Sequence, residues 1–302
     1  MVEDNTVREH AALVALLRQR PDGLSWTRLT EDVLYFGSAL QVWKEHQGDA
    51  LLADDGPLED AHKDVLSWTE QGLRFVSVLD PDYPRRLRGV HEAPPFLFAA
   101  GTLKPDDRGV SVVGSRKASE RGHQIATAVA HLLVSMNLSV ISGLATGIDA
   151  AAHTAALAAG GRPVGMIGTG ITDTYPAANA ALHAQVSERG VLLSQFWPDA
   201  PPRKQHFPMR NAIMSGYGLA TVVVEASEHS GTRIQARVAV AHGRPVLLTE
   251  LVVNATEWGR ALVDQPGVYV VRGVEDVKDA LNIVVDDLNA AERVQRMVSE
   301  LT

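Results

Sequence analysis

The sequence predicts an α/β protein, a doubly wound, mainly parallel Rossmann-like sheet preceded by a small all-helical N-terminal domain. Short, continuously apolar runs recur between residues 110 and 271, and helix-length segments separate most of them. Parallel strands are buried on both faces and need crossover helices, so this alternation is typical of the fold. The first 72 residues differ, because they are rich in helix formers and carry three of the five tryptophans.

Residues 1–72 are predicted to form the helical domain. Apolar residues recur there at helical spacing in four segments. These segments are His10–Arg18, Leu29–Phe36, Ala39–His46 and Glu59–Gln71. Clusters of Pro, Asp and Gly at 21–23 and 54–57 are turn signals that separate them.

A proline-rich connector follows. Five of the fifteen prolines lie between residues 81 and 105. Proline lacks a backbone donor and ends helices, so this stretch is predicted to be extended. The apolar runs Phe75–Leu79 and Phe96–Ala99 are predicted as accessory strands.

The predicted core sheet contains seven strands. They are Val110–Val113, Leu138–Ile141, Val164–Ile167, Val191–Leu193, Ala220–Val224, Val246–Leu248 and Val268–Val271. The predicted helices between them are Ser119–Met136, Ala150–Ala159, Ala177–Arg189 and Gly231–His242. Residues 73–282 are therefore predicted as one Rossmann-like domain, and 283–302 as a C-terminal helical tail.

Composition excludes several classes of protein. Lys and Arg total 28 against 36 Asp and Glu, giving a net charge of −8 that argues against a general polyanion-coating protein. The chain has no cysteine, which excludes disulfide scaffolds, thiolate zinc sites and cysteine nucleophiles. No metal-ligand spacing or Walker lysine motif occurs, so no metal or cofactor is predicted. Without a signal peptide or membrane-length apolar run, the chain is predicted to be cytoplasmic.

Loops at the carboxyl ends of the predicted strands are the expected ligand sites of such a sheet. Gly114, Ser115, Arg116 and Lys117 follow the first core strand. Glycine lets the backbone approach a phosphate, and arginine adds a forked cationic donor. The alternative is an ordinary strand-to-helix turn with solvated charges.

The next two loops are less specific. Asp149 follows Ser142 and Gly143 as a candidate N-cap, and His153 lies one helical turn later. They form either an acid–base dyad or, as we favour, a cap and a packed histidine. Gly168 and Gly170 form a turn predicted to expose backbone amides.

Positive charge concentrates in the second half of the domain. The stretch from Pro201 to Arg244 contains six Lys or Arg residues but only two acidic residues. Within this stretch Lys204, Arg210 and Asn211 precede a helix-opening Ser230-Gly231-Thr232-Arg233. In an acidic chain this local excess predicts an anion site, although for Arg203 and Lys204 taken individually we favour a solvated basic face.

Read together, these motifs resemble the DNA-processing protein A (DprA, or Smf) family. The similarity rests on the order and spacing of short strings between residues 75 and 280. They are Gly114-Ser115-Arg116, Ser142-Gly143-Leu144-Ala145-x-Gly147-Ile148-Asp149-x-x-x-His153, Gly168-x-Gly170 with Tyr175-Pro176-x-x-Asn179, Phe207-Pro208-x-Arg210-Asn211, Val224-Glu225-Ala226 and Ser230-Gly231. The upstream Asp82-Tyr83-Pro84 resembles the family's lead-in to its first strand.

The resemblance implies a binding protein rather than an enzyme. Family members bind single-stranded DNA in a positive pocket, form homodimers and load a RecA-type recombinase during natural transformation. Gly114-Ser115-Arg116 and Arg210-Asn211 would then hold phosphates, with the Ser142-Gly143 and Ser230-Gly231 turns lining the pocket.

This chain departs from the family pattern in several places. The arginine that usually follows R-N is Ala212, and the S-G-S-x-I-T-A segment has Gln235 in place of threonine. Lys204 and Arg233 are the candidates to compensate for the lost charge. The competing hypothesis is a nucleotide-binding or phosphoribohydrolase-like protein that senses or cleaves a small nucleotide. A pure partner-docking protein is the third alternative.

Overall fold

The computed structural model describes residues 2–47 and 56–300, so the predicted turn at 54–57 and residues 301 and 302 lie partly or wholly outside the described chain. The described strands are β1 (Arg74–Ser77), β2 (Phe96–Gly101), β3 (Gly109–Gly114), β4 (Ser139–Ser142), β5 (Pro163–Met166), β6 (Val191–Ser194), β7 (Ala220–Glu225), β8 (Val246–Thr249) and β9 (Val268–Val271). They form one sheet in the order β1-β2-β6-β5-β4-β3-β7-β8-β9.

Helices precede the sheet and cover both of its faces. They are α1 (Val2–Gln19), α2 (Trp26–Phe36), α3 (Ala39–Gln47), α4 (Gly56–Glu70), α5 (Arg85–Arg88), α6 (Glu120–Ser135), α7 (Ile148–Ala158), α8 (Ala180–Arg189), α9 (His206–Tyr217), α10 (Thr232–Ala241), α11 (Glu250–Ala255), α12 (Glu257–Leu262) and α13 (Val274–Glu300). Single 3₁₀ turns occur at Pro21–Gly23 and Ala177–Asn179.

The sheet is doubly wound, which confirms the predicted fold class. From β3 the chain runs through β4, β5 and β6 in one direction, and β7, β8 and β9 then extend the sheet from the other side of β3. Neighbouring strands from β3 to β9 all pair in parallel, whereas the pairs β1–β2 and β2–β6 are antiparallel. The strand order reverses between β3 and β7, and ligands of open α/β sheets bind beside such a switch point.

The N-terminal helices pack onto the β1–β2 edge of the sheet. Leu13, Leu29 and Trp68 belong to the same buried cluster as Phe96 and Phe98 of β2. The rings of Trp68 and Phe98 meet edge to face with centroids 5.0 Å apart. The helical N-terminus is therefore as predicted, and its hydrophobic core is continuous with that of the sheet.

Two serines cap the N-termini of helices α2 and α6. Ser25 caps α2 by accepting a hydrogen bond from the Arg28 amide (3.2 Å). Ser119 caps α6 by accepting one from the Gly122 amide (3.0 Å). Each serine satisfies an amide that the helix itself leaves unpaired.

The C-terminal boundary differs from the prediction. Helix α13 runs unbroken from Val274 to Glu300, so residue 283 lies inside it rather than at the start of a separate helix. Its first turns bury Val277 and Leu281, whereas Ile283 is exposed. The change in burial therefore occurs along one continuous helix.

Helix α9 was not among the predicted helices. Residues 212–217 are all buried, so the segment lacks the amphipathic pattern that reveals a helix in sequence. Pro208 is tolerated because it occupies the first turn, where the helix has no use for its amide donor. Within the described residues, no helix is long and apolar enough to cross a membrane.

Candidate functional site

A cavity of about 600 Å³ opens at the switch point, beyond the carboxyl ends of β3 and β7. Four segments line it: the loop after β3, the start of α7, one face of α9 and the loop between β7 and α10. The lining residues include Gly114, Ser115, Arg116, Lys117, Asp149, Phe207, Arg210, Asn211, Glu225, Ser230, Gly231, Thr232 and Gln235. Nine of the fifteen predicted site residues therefore meet in one cavity.

The loop after β3 has a fixed backbone and free side chains. The Ser115 amide donates to the Glu225 carbonyl (2.7 Å), and the Ser115 hydroxyl accepts from the Lys117 amide (3.1 Å). A Cβ on Gly114 would lie 2.6 Å from Ile148, so the loop needs glycine at this close approach. Arg116 and Lys117 are exposed at the rim of the cavity.

Arg116 is the cation best placed to meet a ligand. Its guanidinium carbon lies 5.2 Å from the centroid of the Phe207 ring, within the range of a cation–π contact. No carboxylate of the described residues forms an ion pair with it. The aromatic ring orients the guanidinium without neutralising its charge.

Arg210 forms the floor of the cavity and is only 5% exposed. Its Nη1 donates to the Met166 carbonyl (2.8 Å) and its Nε to the Asn211 side-chain oxygen (3.1 Å). Any side chain at Gly143 would overlap the guanidinium, so this glycine makes room for it. Burial lowers the pKa of Arg210, and the nearby Asp149 carboxylate acts in the opposite direction.

Both carboxylates of the cavity are engaged. Glu225 accepts hydrogen bonds from the Ser119 amide (3.1 Å) and hydroxyl (2.6 Å) at the N-terminus of α6. Asp149 accepts from the Gly143 amide (3.1 Å). A helix N-terminus stabilises negative charge, so Glu225 is held against α6 instead of facing an incoming anion.

The loop before α10 joins the other walls. The Thr232 hydroxyl donates to the Gly114 carbonyl (3.3 Å), and the Asn211 side chain donates to the Gly231 carbonyl (3.5 Å). A Cβ on Gly231 would meet nothing within 4 Å, so this glycine faces open space. The loop therefore links β3, α9 and α10 around the opening.

Six predicted site residues lie outside the cavity wall. Ser142 is fully buried, and its hydroxyl donates to the Val112 carbonyl (2.6 Å) inside the sheet. Gly143 leaves space for Arg210 and donates its amide to Asp149, so it supports the cavity from behind the wall. Lys204 is exposed on the turn before α9, and Arg233 is half-buried on α10 beside the cavity rather than on its wall.

The turn at Gly168 and Gly170 does not expose its amides, contrary to expectation. Both glycines are buried, and the Gly170 amide donates to the Ala200 carbonyl (2.8 Å). Gly168 packs against the ring of Phe207, where a Cβ would lie 3.0 Å away. The turn supports the aromatic residue instead of offering donors to a ligand.

Asp149 and His153 form no acid–base dyad. Helix α7 is capped by Gly147, so Asp149 lies in its first turn and binds the preceding loop, which corrects the predicted N-cap. His153 is fully buried, and its Nε2 donates to the Val164 carbonyl (3.2 Å). Burial lowers the pKa of His153 to about 4, so its ring is neutral at pH 7.

Gln235 is a cavity residue that sequence reasoning did not select. It lies one helical turn after Thr232 on α10, a spacing that places the two side chains on one face. Its only sequence signal is its departure from threonine in the family pattern. In the described chain, no group of three or more His, Asp or Glu residues is arranged to hold a metal ion.

Comparison with known proteins adds an independent finding. The model of the family "DNA recombination-mediator protein A" matches residues 74–282. DNA processing protein DprA of Bacillus subtilis is 32% identical over 220 residues, covering 72% of this chain and 74% of that protein. The Streptococcus pneumoniae DprA is 36% identical over 225 residues, covering 73% and 77%.

Solved structures agree. The X-ray structure of S. pneumoniae DprA matches with a TM-score of 0.70 and 30% identity, covering 86% of this chain and 94% of that one. A structure of Helicobacter pylori DprA, described for its single-stranded DNA binding mode, matches with a TM-score of 0.62 and 19% identity, covering 71% and 96%. At 19% identity the latter shows the fold alone.

Proposed function

This chain belongs to the DNA recombination-mediator protein A family, and on that premise we propose that its cavity binds the backbone of single-stranded DNA. The observation that carries the proposal is Arg116, an exposed guanidinium that forms no ion pair within the described part of the chain and stands at the rim of a cavity whose two carboxylates are already bonded. Phosphate oxygens are strong acceptors for such a forked donor.

The electrostatics of the cavity favour an anion although the protein carries a net charge of −8. Arg116 and Lys117 are exposed at the rim, while the charge of Glu225 is stabilised by α6. Below them Arg210 has committed Nε and Nη1 to protein acceptors, leaving Nη2 for a ligand. The cavity therefore has cations at two depths: Arg116 and Lys117 at the rim, and Arg210 at the floor.

The shape of the site favours a single strand over a duplex. Phe207 stands at the opening beside Tyr175, with ring centroids 5.7 Å apart. Unpaired bases stack on such rings, whereas the bases of a duplex are enclosed by their own pairing. Binding to the single strand should weaken with salt, because phosphate contacts release counterions.

Anisotropy of a labelled oligo-thymidine of about 30 nucleotides, titrated at two salt concentrations beside duplex DNA, tests the proposal. Removing the rim cation with Arg116→Ala should weaken binding about tenfold or more, since charge-assisted hydrogen bonds contribute roughly 1.5–3 kcal/mol. Arg237→Ala removes an exposed arginine of α10 outside the cavity and should leave binding unchanged. Equal binding by wild type and Arg116→Ala would contradict the proposal.

We further propose, from family membership, that the protein acts as a homodimer that helps load a RecA-type recombinase, and that it binds without catalysis. The buried His153, bonded to Val164, supports the last point because it is the histidine nearest to Asp149 in sequence and it cannot reach a ligand. Sedimentation would give the oligomeric state, and strand-exchange assays with a recombinase would test loading. Release of free base from a nucleoside monophosphate would instead support the phosphoribohydrolase-like alternative.

A further inference from the structure

Gln235 is an anomaly in the wall of the cavity. Its side chain is 1% exposed, and neither its amide oxygen nor its amide nitrogen has a hydrogen-bond partner among the described residues. Every other buried side chain of the described residues has at most one polar atom without a hydrogen-bond partner. Buried polar groups are nearly always paired, so an amide with both ends unpaired calls for a partner from outside the protein.

The surroundings make a protein partner unavailable. Asn211 is bonded to Arg210 and Gly231, and Thr232 is bonded to Ser230 and Gly114. Glu225 is held by Ser119 at the start of α6. The polar side chains that line the cavity beside Gln235 are thus committed, and Gln235 borders the space in which a ligand would lie.

The hydrogen-bonding chemistry of an amide limits which class of ligand can pair with Gln235. A primary amide offers a donor and an acceptor side by side. A phosphate only accepts hydrogen bonds, so it would leave the Gln235 oxygen unpaired. A nucleobase presents a donor and an acceptor on adjacent atoms of one edge, and in a single strand that edge is free.

We propose that Gln235 is a base-reading residue, which pairs its amide with the edge of one nucleobase of the bound strand. The inference rests on the proposed function and deepens it, because it divides the cavity between Arg116 and Lys117 for phosphates and Gln235 for a base. A cavity of about 600 Å³ lies within the size range of sites that enclose small ligands. Threonine, which the family pattern has at this position, lacks the paired donor and acceptor.

The test compares two ligands and two proteins in one cycle. Gln235→Leu removes the amide at similar volume, and an oligonucleotide of tetrahydrofuran abasic sites removes the bases but keeps the phosphates. Gln235→Leu should weaken binding of the intact oligonucleotide about five- to tenfold, the size expected for a pair of net hydrogen bonds. It should leave binding of the abasic strand unchanged.

Stability provides a second readout. Replacing an unpaired buried amide by an apolar group of the same shape is neutral or stabilising. Gln235→Leu should therefore unfold at the same or a higher temperature than wild type, whereas a structural glutamine would give a lower one. Gln124→Leu, an exposed glutamine of α6 outside the cavity, is the matched control for added apolar surface.

The outcomes separate this inference from the proposed function. If wild type binds both strands, Arg116→Ala weakens both, and Gln235→Leu weakens both equally or neither, only the base-reading role is overturned. If wild type binds neither strand, both proposals are overturned. A mononucleotide that displaces the oligonucleotide from wild type but not from Gln235→Leu would show that a free nucleotide is read in the same way.

Discussion

The two ends of the parallel strands use similar side chains in opposite ways. At the amino ends, the Asp107 carboxylate accepts hydrogen bonds from Ser139 (2.5 Å), Arg162 (2.8 Å) and Tyr217 (3.0 Å). We call this fully paired cluster the closed edge. At the carboxyl ends, the described residues give Arg116 no ion pair and the Gln235 amide no hydrogen-bond partner. We call this the open edge.

The difference shows how burial and pairing separate stability from binding. A charge buried with good partners fixes the fold, because removing one partner leaves the others unsatisfied. A charge left exposed and oriented costs little stability and is available to a ligand. We therefore expect substitutions at the closed edge to change folding, and substitutions at the open edge to change binding.

The largest effect is expected at the centre of the closed edge. Asp107→Ala removes the buried carboxylate that the half-buried Arg162 guanidinium and the buried Tyr217 hydroxyl share as an acceptor, and should lower the free energy of unfolding by about 3–5 kcal/mol. Urea denaturation measures the change. Asp64→Ala, which breaks an exposed pair with Arg18, should cost less than about 1 kcal/mol. Similar losses for both variants would erase the distinction between buried and exposed pairs.

Sequence patterns predicted the buried strands of the molecule better than they predicted its cavity. Each core strand is apolar on both faces, so local composition revealed it without knowledge of its neighbours. Helix α9 escaped detection because it too is buried on nearly all sides, and an unbroken buried helix has no period to detect. Helix α9 is buried by its tertiary neighbours, and the sequence does not show which segments those neighbours are.

The cavity could be predicted only at its loops. Gly114 and Arg116 follow a strand, so the topology alone places them at the ligand edge. Whether the Gly170 amide is free depends on the Ala200 carbonyl, thirty residues away in sequence. The unpaired state of Gln235 likewise depends on what α9 and β7 do not supply. Such facts come from tertiary contacts and leave no local signal.

A pH experiment asks whether the open edge extends inward along α7. His153 lies one turn beyond the cavity residue Asp149, yet it is fully buried with a pKa of about 4 against an ordinary 6.5. Between these values the unfolded chain binds the proton more readily, so stability present above pH 6.5 is lost as the pH falls towards 4. Between pH 7 and pH 5 the loss from this histidine should be about 2 kcal/mol.

His153→Gln isolates that contribution, since glutamine retains a donor for the Val164 carbonyl but does not titrate. Urea denaturation at pH 7 and pH 5 should show a smaller loss for the variant than for wild type. An identical loss in both proteins would mean that His153 is accessible to protons in the folded state. The open edge would then reach deeper than the cavity.

The floor of the cavity offers a substitution that should uncouple binding from folding. Gly143→Ala places a methyl group where the Arg210 guanidinium lies, and the flexible end of that side chain can move. We expect binding of single-stranded DNA about tenfold weaker, with an overpacking cost to stability of roughly 1 kcal/mol at the low end of the usual range. Gly273→Ala adds the same methyl group to open space outside the cavity and should change neither quantity.

The smallest effects are expected where the two kinds of role meet in one residue. Ser119 caps α6 and also holds the Glu225 carboxylate, so Ser119→Ala should cost about 1 kcal/mol of stability and weaken DNA binding about threefold as Glu225 turns towards the cavity. Ser25→Ala removes the equivalent cap of α2, which does not line the cavity, and should cost similar stability without changing DNA binding. Denaturation and anisotropy measure the stability and the DNA binding of both variants.

A loss of stability shared by both, with a loss of binding confined to Ser119→Ala, would show that Glu225 must be restrained before the open edge can accept an anion. Equal binding by both would place Glu225 outside the electrostatics of the site.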